Sequence, residues 1–292
     1  MKKLVIAAIT LALGLGTTLF SAAQAEIKLG VTAPRGALAT MKSWGALGEY
    51  LQTAVGTPVK VVPVKPNETK AMVKNGEVDY MLTNPALTVV LQKKDGATPF
   101  ATLNRKSGSR FGGTIISKKG SGITKAADLK GKKVMGFQFK RSAAAYIFQV
   151  KHMLDNGIDP HKDFAVFHEA KKQDDIVLAV KSGLFDAGFV KSGLLEAMAK
   201  EGKIKLDDFD IVDKKNDSLK QLHSTILYPE WCISAGAKVD PGMTSKVKAA
   251  LLKLDANSKA SKSANIIGFV DLISLSDLDV TLKTLHLPPY DN

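Results

Sequence analysis

The residues of this chain that can do chemistry are suited to holding negative charge rather than to breaking bonds. Arg141 offers a planar guanidinium for two-pronged contact with an oxyanion, and Ser142 offers a hydroxyl beside it. Apolar spacing after Ser142 predicts a helix, so the pair stands where unpaired N–H donors and a partial positive charge favour an anion. The same pair also reads as an N-cap and a surface arginine. Thr32 and Arg35 follow a first strand, and Arg35 is either a clamp for a carboxylate or sulfur oxyanion or a solvated side chain. Thr83-Asn84-Pro85 follows another strand; Asn84 suits a helix cap, and Thr83 can face an open cleft. Lys191 follows a third. Tyr228 and Trp231 either wall a pocket or pack a hinge.

Other chemistries lack their residues. The five histidines show no metal-ligand spacing. No Ser-His-Asp order and no phosphate-cradling glycine loop stands out, so there is no positive case for an enzyme and no cofactor is expected. Cys232 is the only cysteine, which rules out an internal disulfide and multi-cysteine metal sites. It reads as a small buried hydrophobe, or, if exposed beside a cation, as a reactive thiolate.

The elements that must position these residues alternate in type. Strands are expected at 27–31, 59–64, 78–82 and 101–103, with helices at 37–53, 67–75 and 85–94 between them. The order restarts with strands at 112–116, 133–137, 164–167 and 185–190. Helices at 124–130, 142–156, 174–181 and 194–201 separate these. A strand at 233–239 and helices at 243–255 and 274–285 close the chain. Repeated βα units predict mainly parallel sheets flanked by helices. Two sets predict an α/β fold of two lobes, each a mixed, mainly parallel sheet, joined by a two-crossing hinge. The boundaries read as 26–105 for the first lobe, 106–237 for the second, and 238–292 returning to the first. The first crossing falls at 104–111 and the second between Leu222 and Val239. Ligands of open α/β sheets sit at the carboxyl ends of strands, which is where the candidate residues stand.

Residues 1–25 read as a secretory leader. Lys2-Lys3 is followed by an apolar run from Leu4 to Phe20, and small residues at Ala23 and Ala25 mark a cleavage site before Glu26. Export to a periplasm is expected. Lys2 and Lys3 leave with the leader, lowering the formal net charge of +13 by two. The remaining positive charge is scattered without interleaved aromatics, so no nucleic-acid partner is expected. A basic field does speed the arrival of small anions.

An ordered series of motifs, weak singly and specific together, resembles the phosphonate/phosphate-type periplasmic solute-binding proteins of the type II binding fold. The series is Gly30-Val31-Thr32, Gly76-Glu77-Val78-Asp79-Tyr80, Thr83-Asn84-Pro85-Ala86, Phe111-Gly112-Gly113, Ala127-Asp128-Leu129-Lys130-Gly131-Lys132 and Asp186-Ala187-Gly188. His223-Ser224-Thr225, Tyr228-Pro229-Glu230-Trp231 and Leu287-Pro288-Pro289-Tyr290 are similar to the periplasmic domain of tetrathionate-sensor kinases and its stand-alone relatives. Lys191-Ser192 resembles an Arg-Thr or Lys-Ser pair of that branch. The resemblance implies a monomer that captures a small anionic ligand, a phosphate, phosphonate or sulfur oxyanion, and passes it to the membrane permease of an ABC transporter, or reports it to a sensor kinase. The chain departs from the phosphonate pattern in the segment 138–145, where only Ser142 keeps a hydroxyl. Asp174-Asp175 replaces a frequent His-Asp pair, and Thr88 stands where a tyrosine is common.

Overall fold

The structure, a computed structural model, describes residues 26–34 and 36–291; the leader and Arg35 lie outside them. The chain begins β1 (Ile27–Thr32), α1 (Ala37–Val55), β2 (Val59–Val64), α2 (Thr69–Lys74), β3 (Tyr80–Thr83), α3 (Pro85–Asp95) and β4 (Thr98–Asn104). Turn chemistry sets these limits. Asn84 Oδ1 accepts from Leu87 N at 3.1 Å and Pro85 opens α3, which stops at left-handed Gly96. Trp44, Leu47 and Leu51 give α1 a buried stripe against the sheet, each such side chain contributing about 1.5–3 kcal/mol by leaving water.

After β5 (Arg110–Phe111), the second set comprises β6 (Gly113–Lys118), β7 (Lys133–Phe137), α4 (Phe148–Asp155), α5 (Pro160–Asp163), β8 (Val166–Ala170), α6 (Gln173–Ser182), β9 (Ala187–Lys191), α7 (Leu194–Lys200) and β10 (Phe209–Ile211). β11 (Tyr228–Pro229) and β12 (Cys232–Ala235) lead back, followed by α8 (Pro241–Leu252), α9 (Lys259–Ala264), β13 (Gly268–Asp271) and α10 (Ser276–Thr284). The first sheet runs β13-β4-β12-β3-β1-β2 and the second β10-β6-β9-β7-β8. β1, β2 and β3 are parallel, as are β7, β8 and β9, and antiparallel strands complete each sheet. The two-lobe α/β fold expected from the alternation is the one observed.

The two crossings pair with each other. β5 and β11 form an antiparallel ribbon, Phe111 opposite Tyr228. The return therefore finishes before Cys232, because β12 already lies between β3 and β4 of the first sheet. A return at residue 237 is thus too late, and the expected strand at 233–239 shortens to β12. Segment 222–225, just before the ribbon, is stitched to β6: Gly113 N donates to Thr225 Oγ1 at 2.9 Å and Ile115 N to Ser224 Oγ at 2.9 Å. Gly113 must lack a side chain, since a Cβ there would meet the Gln149 amide at 2.4 Å.

Assigning 238–292 wholly to the first lobe also fails. Leu278 and Leu282 of α10 share one apolar cluster with Ala86 and Val89 of α3, with Phe111 and Tyr228 of the crossings, and with Phe148 of α4. This last helix therefore packs on both lobes. The expected helix at 142–156 opens as a wide π-type turn at Ala143–Ile147 before α4. Gln149 Nε2 donates to Ala144 O and to Val190 O, both at 2.9 Å, and so ties the turn to β9. Residues 124–130 form only a 3-10 turn, Ala126–Leu129. The short α5, α9 and β13 carry too few periodic residues to be read from the sequence.

Candidate functional site: the interlobe cleft

A cleft of about 990 Å³ separates the lobes. Its walls are the carboxyl ends of strands, the helix starts that follow them, and the two crossings. Thr32, Trp44 and Asn84 line it from the first lobe; Ser142, Ala143 and Lys191 face them from the second. Among the described residues, no group of three or more His, Cys, Asp or Glu side chains can hold a metal, and no helix is long and apolar enough to cross a membrane.

The loop after β7 is held in an unusual shape. Gln138 and Lys140 take left-handed backbone angles, φ 45° and 65°, a cost non-glycine residues bear where surroundings over-determine them. The surroundings here are aromatic. The Phe139 ring sits between Phe167 and Tyr146, with centroids at 4.4 and 4.7 Å, while Phe139 N donates to Glu169 Oε1 at 3.0 Å. Burial pushes the Tyr146 hydroxyl up to about 12, so it stays a neutral partner 2.7 Å from His161 Nε2. Gln138 O accepts from both Arg141 N and Ser142 N. The first bond of the following turn runs from Ile147 N to Ser142 O at 3.0 Å. The N–H groups of residues 143–146 thus precede any intrahelical acceptor, and Ala143 and Ala144 line the cleft. A π-type opening leaves one more free donor than an α-helical start.

Beside this turn stands a charge cluster. Lys191 Nζ lies 3.1 Å from Glu230 Oε1, and Arg105 Nε lies 3.0 Å from the same oxygen. Lys191 also sits 4.6 Å from the centre of the Phe111 ring. Burial lowers the Lys191 ammonium below the usual lysine range against the opposing pull of Glu230. Burial alone would raise the Glu230 carboxyl; Lys191, Arg105 and the Trp231 N–H outweigh it and hold the group below the usual carboxylate range. The cluster joins the lobes, since Lys191 ends β9 while Arg105 and Glu230 belong to the crossings.

Of the residues expected at the site, Thr32, Asn84, Arg141, Ser142, Lys191 and Trp231 line the cleft. Asn84 is also a cap, as its position suggested. Ser142 makes no capping bond, which leaves its hydroxyl available. Arg141 is two-thirds exposed and leans toward Glu169 at 3.8 Å. Thr83 is fully buried and does not face the cleft; it accepts the Thr32 hydroxyl at 2.7 Å from behind. Tyr228 is not a wall residue either. It is 1% exposed, stacked on Phe148 with centroids 4.0 Å apart, and its hydroxyl lies 2.9 Å from Thr281 Oγ1. Arg35 lies outside the described residues. Cys232 is fully buried and burial pushes its thiol up to about 12, which removes the thiolate alternative. Two central residues, Arg105 and Glu230, were not anticipated as site residues. Both stood in segments singled out for other reasons, the first crossing and the Tyr228-Pro229-Glu230-Trp231 motif.

A family model described as ABC transporter, phosphonate, periplasmic substrate-binding protein matches residues 29–279. A tetrathionate sensor histidine kinase of Salmonella typhimurium is 30% identical over 234 residues, 78% of this chain and 39% of that protein. The chain therefore spans well under half the length of this curated relative. Among solved structures, PhnD1 of Prochlorococcus marinus in complex with methylphosphonate matches with TM-score 0.68 and 16% identity over 89% of this chain and 98% of that one. XAC2383 of Xanthomonas citri bound to ATP matches with TM-score 0.74, also at 16% identity, over 89% and 98%. At such identities the two structures show the shared fold. With the family match spanning both lobes and the cleft between them, the chain belongs to the family of phosphonate-type periplasmic substrate-binding proteins of ABC transporters.

Proposed function

We propose that this protein captures a small oxyanion of the phosphate, phosphonate or sulfur oxyanion class in the interlobe cleft, without making or breaking a bond, and delivers it to the permease of an ABC transporter. The observation that carries this reading is the meeting, in one cleft, of the free N–H groups after Ser142 with the partly buried cations Lys191 and Arg105. Backbone dipoles and fixed cations are the means by which proteins hold an oxyanion without chemistry. Asn84 approaches from the opposite wall with its amide N–H2 uncommitted, so closure of the lobes would bring a further donor to the shell, whereas Thr32 already spends its hydroxyl proton on Thr83. Family membership implies work outside the cytoplasmic membrane, and the leader read from residues 1–25 accords with it. We take the protein to act as a monomer.

Two observations favour a second reading, a sensory module that reports occupancy to a membrane histidine kinase. The 30% identical relative is such a kinase by name, and α10 packs on both lobes, where a closing motion would be felt. Tetrathionate, which that name carries, belongs with the sulfur oxyanions to be tried. Thermal-shift screening of residues 26–292 against phosphate, methylphosphonate, thiosulfate and tetrathionate tests the binding reading. A ligand at a hundred times its dissociation constant should add about 2.7 kcal/mol of stability. No shift with any oxyanion would end it. Loss of uptake of the identified ligand in a deletion strain supports transport; intact uptake with lost transcriptional response supports sensing.

A further inference from the structure

Two cations in the middle of the cleft share one oxygen of one carboxylate. Arg105 Nε and Lys191 Nζ both contact Glu230 Oε1, at 3.0 and 3.1 Å. The other oxygen, Oε2, accepts from Trp231 N at 3.1 Å. Glu230 is 1% exposed, whereas the Lys191 and Arg105 side chains keep 34% and 25% of their surface open. Each cation thus meets the carboxylate through a single atom. Among the described residues, the two Nη groups of Arg105 have no hydrogen-bond partner in the protein, and both side chains line the cleft. Glu230 holds the two groups in place from behind and leaves the rest of their donors for a ligand.

The arrangement also fixes charge. Two cations and one carboxylate carry a single net positive charge. The neighbouring turn adds oriented N–H dipoles but no net charge. The other charged side chains of the wall do not alter this balance: Lys70, Lys94, Lys140, Arg141 and Asp291 are exposed, and the half-buried Asp174 is paired with Lys203 at 3.3 Å. Water and salt screen the exposed ones, so the cations among them draw anions inward without distinguishing one charge from two. Discrimination falls to the partly buried trio, where the effective dielectric is low enough for one extra charge to matter.

We propose that Glu230 sets the charge of the anion this cleft accepts, selecting a singly charged head group, such as a sulfonate or a singly protonated phosphonate, over a doubly charged one. This rests on the oxyanion reading above and narrows it. A singly charged head is neutralised by the trio. A doubly charged head leaves one charge uncompensated in a site that water reaches poorly.

Methanesulfonate and sulfate are tetrahedral, similar in size, and carry one and two charges at neutral pH. Titrated into the wild-type protein, methanesulfonate should bind more tightly. Glu230→Gln should move the ratio of the two dissociation constants about tenfold toward sulfate, while Glu230→Asp, which keeps the charge, should preserve the wild-type order. Arg105→Gln should move the ratio the other way, weakening sulfate more than methanesulfonate. A folded Glu230→Gln protein with the wild-type ratio would overturn the proposal, as would a wild-type preference for sulfate. If Glu230→Gln does not fold, the wild-type order and Arg105→Gln decide. A wild-type protein that takes neither probe would overturn the proposal; only if phosphate, methylphosphonate, thiosulfate and tetrathionate also fail is the oxyanion reading itself removed, an outcome distinct from an unaltered ratio.

Discussion

The rings of Phe148 and Tyr228 stack at 4.0 Å between centroids, one from the first turn of α4 and the other from the return crossing. The contact fastens the β5–β11 ribbon to the second lobe, and the Tyr228 hydroxyl reaches Thr281 on α10. Tyr228 is thus a structural pin for the hinge, with no face on the cleft.

Tyr228→Ala should cost about 3–5 kcal/mol, the range for deleting a buried aromatic ring. Tyr228→Phe should cost only about 1 kcal/mol for the lost hydroxyl bond. Chemical denaturation of the two variants measures both. The dissociation constant for a bound oxyanion should be unchanged in Tyr228→Phe.

Cys232 lies between Thr83 and Thr102 in the first sheet, with Sγ 3.4 Å from Glu230 O. Its thiol, pushed up to about 12 by burial, should stay protonated and inert through neutral and mildly alkaline pH. A thiol reagent at pH about 8, near the ordinary cysteine pKa, should label it only after denaturant is added. Cys232→Ser should bind ligand as the parent does. Rapid labelling of the native protein, blocked by ligand, would place the sulfur in the cleft after all.

Glu230 makes acid stability testable. Its carboxyl titrates below the ordinary glutamate range in the folded protein. The stability it contributes is therefore full above the unfolded-state pKa of about 4.3 and is lost as pH falls through the folded value. Thermal melts should show wild type above Glu230→Gln by about 2 kcal/mol at neutral pH, less than for a fully buried pair because Lys191 and Arg105 are partly exposed. The gap should close only below about pH 4. A gap that closes between pH 6 and 7, in the ordinary histidine range, would point to another group.

Much of this was legible in the sequence, and the limits are instructive. Alternating apolar segments with Gly and Pro at their ends reveal the two-lobe order because those signals are local. Asn84-Pro85 identified a helix start correctly for the same reason. What escaped depended on contacts distant in sequence. The wide turn after Ser142 exists because Gln149 reaches Val190 across to β9, and nothing in Ala143-Ala144-Ala145 announces it. The left-handed Gln138 and Lys140 follow from where the half-buried Phe139 ring packs, between Phe167 and Tyr146. Glu230 stayed hidden because its partners lie 125 and 39 residues away. Thr83 and Tyr228 misled for the converse reason, since their neighbours in sequence reach the cleft while their own side chains turn into the core.

Lys191 is the side chain on which oxyanion capture depends most, because among the described residues it alone brings a partly buried cation from the second lobe to the free N–H groups and to the crossings. Calorimetric titration of the wild-type protein and Lys191→Met with phosphate, methylphosphonate, thiosulfate and tetrathionate tests it most directly. The wild type should show saturable one-to-one binding of at least one of these, weakened at least about tenfold in Lys191→Met, in line with about 1.4 kcal/mol or more for one charge-assisted contact. Equal affinity in the two proteins, or turnover of the bound compound, would contradict it.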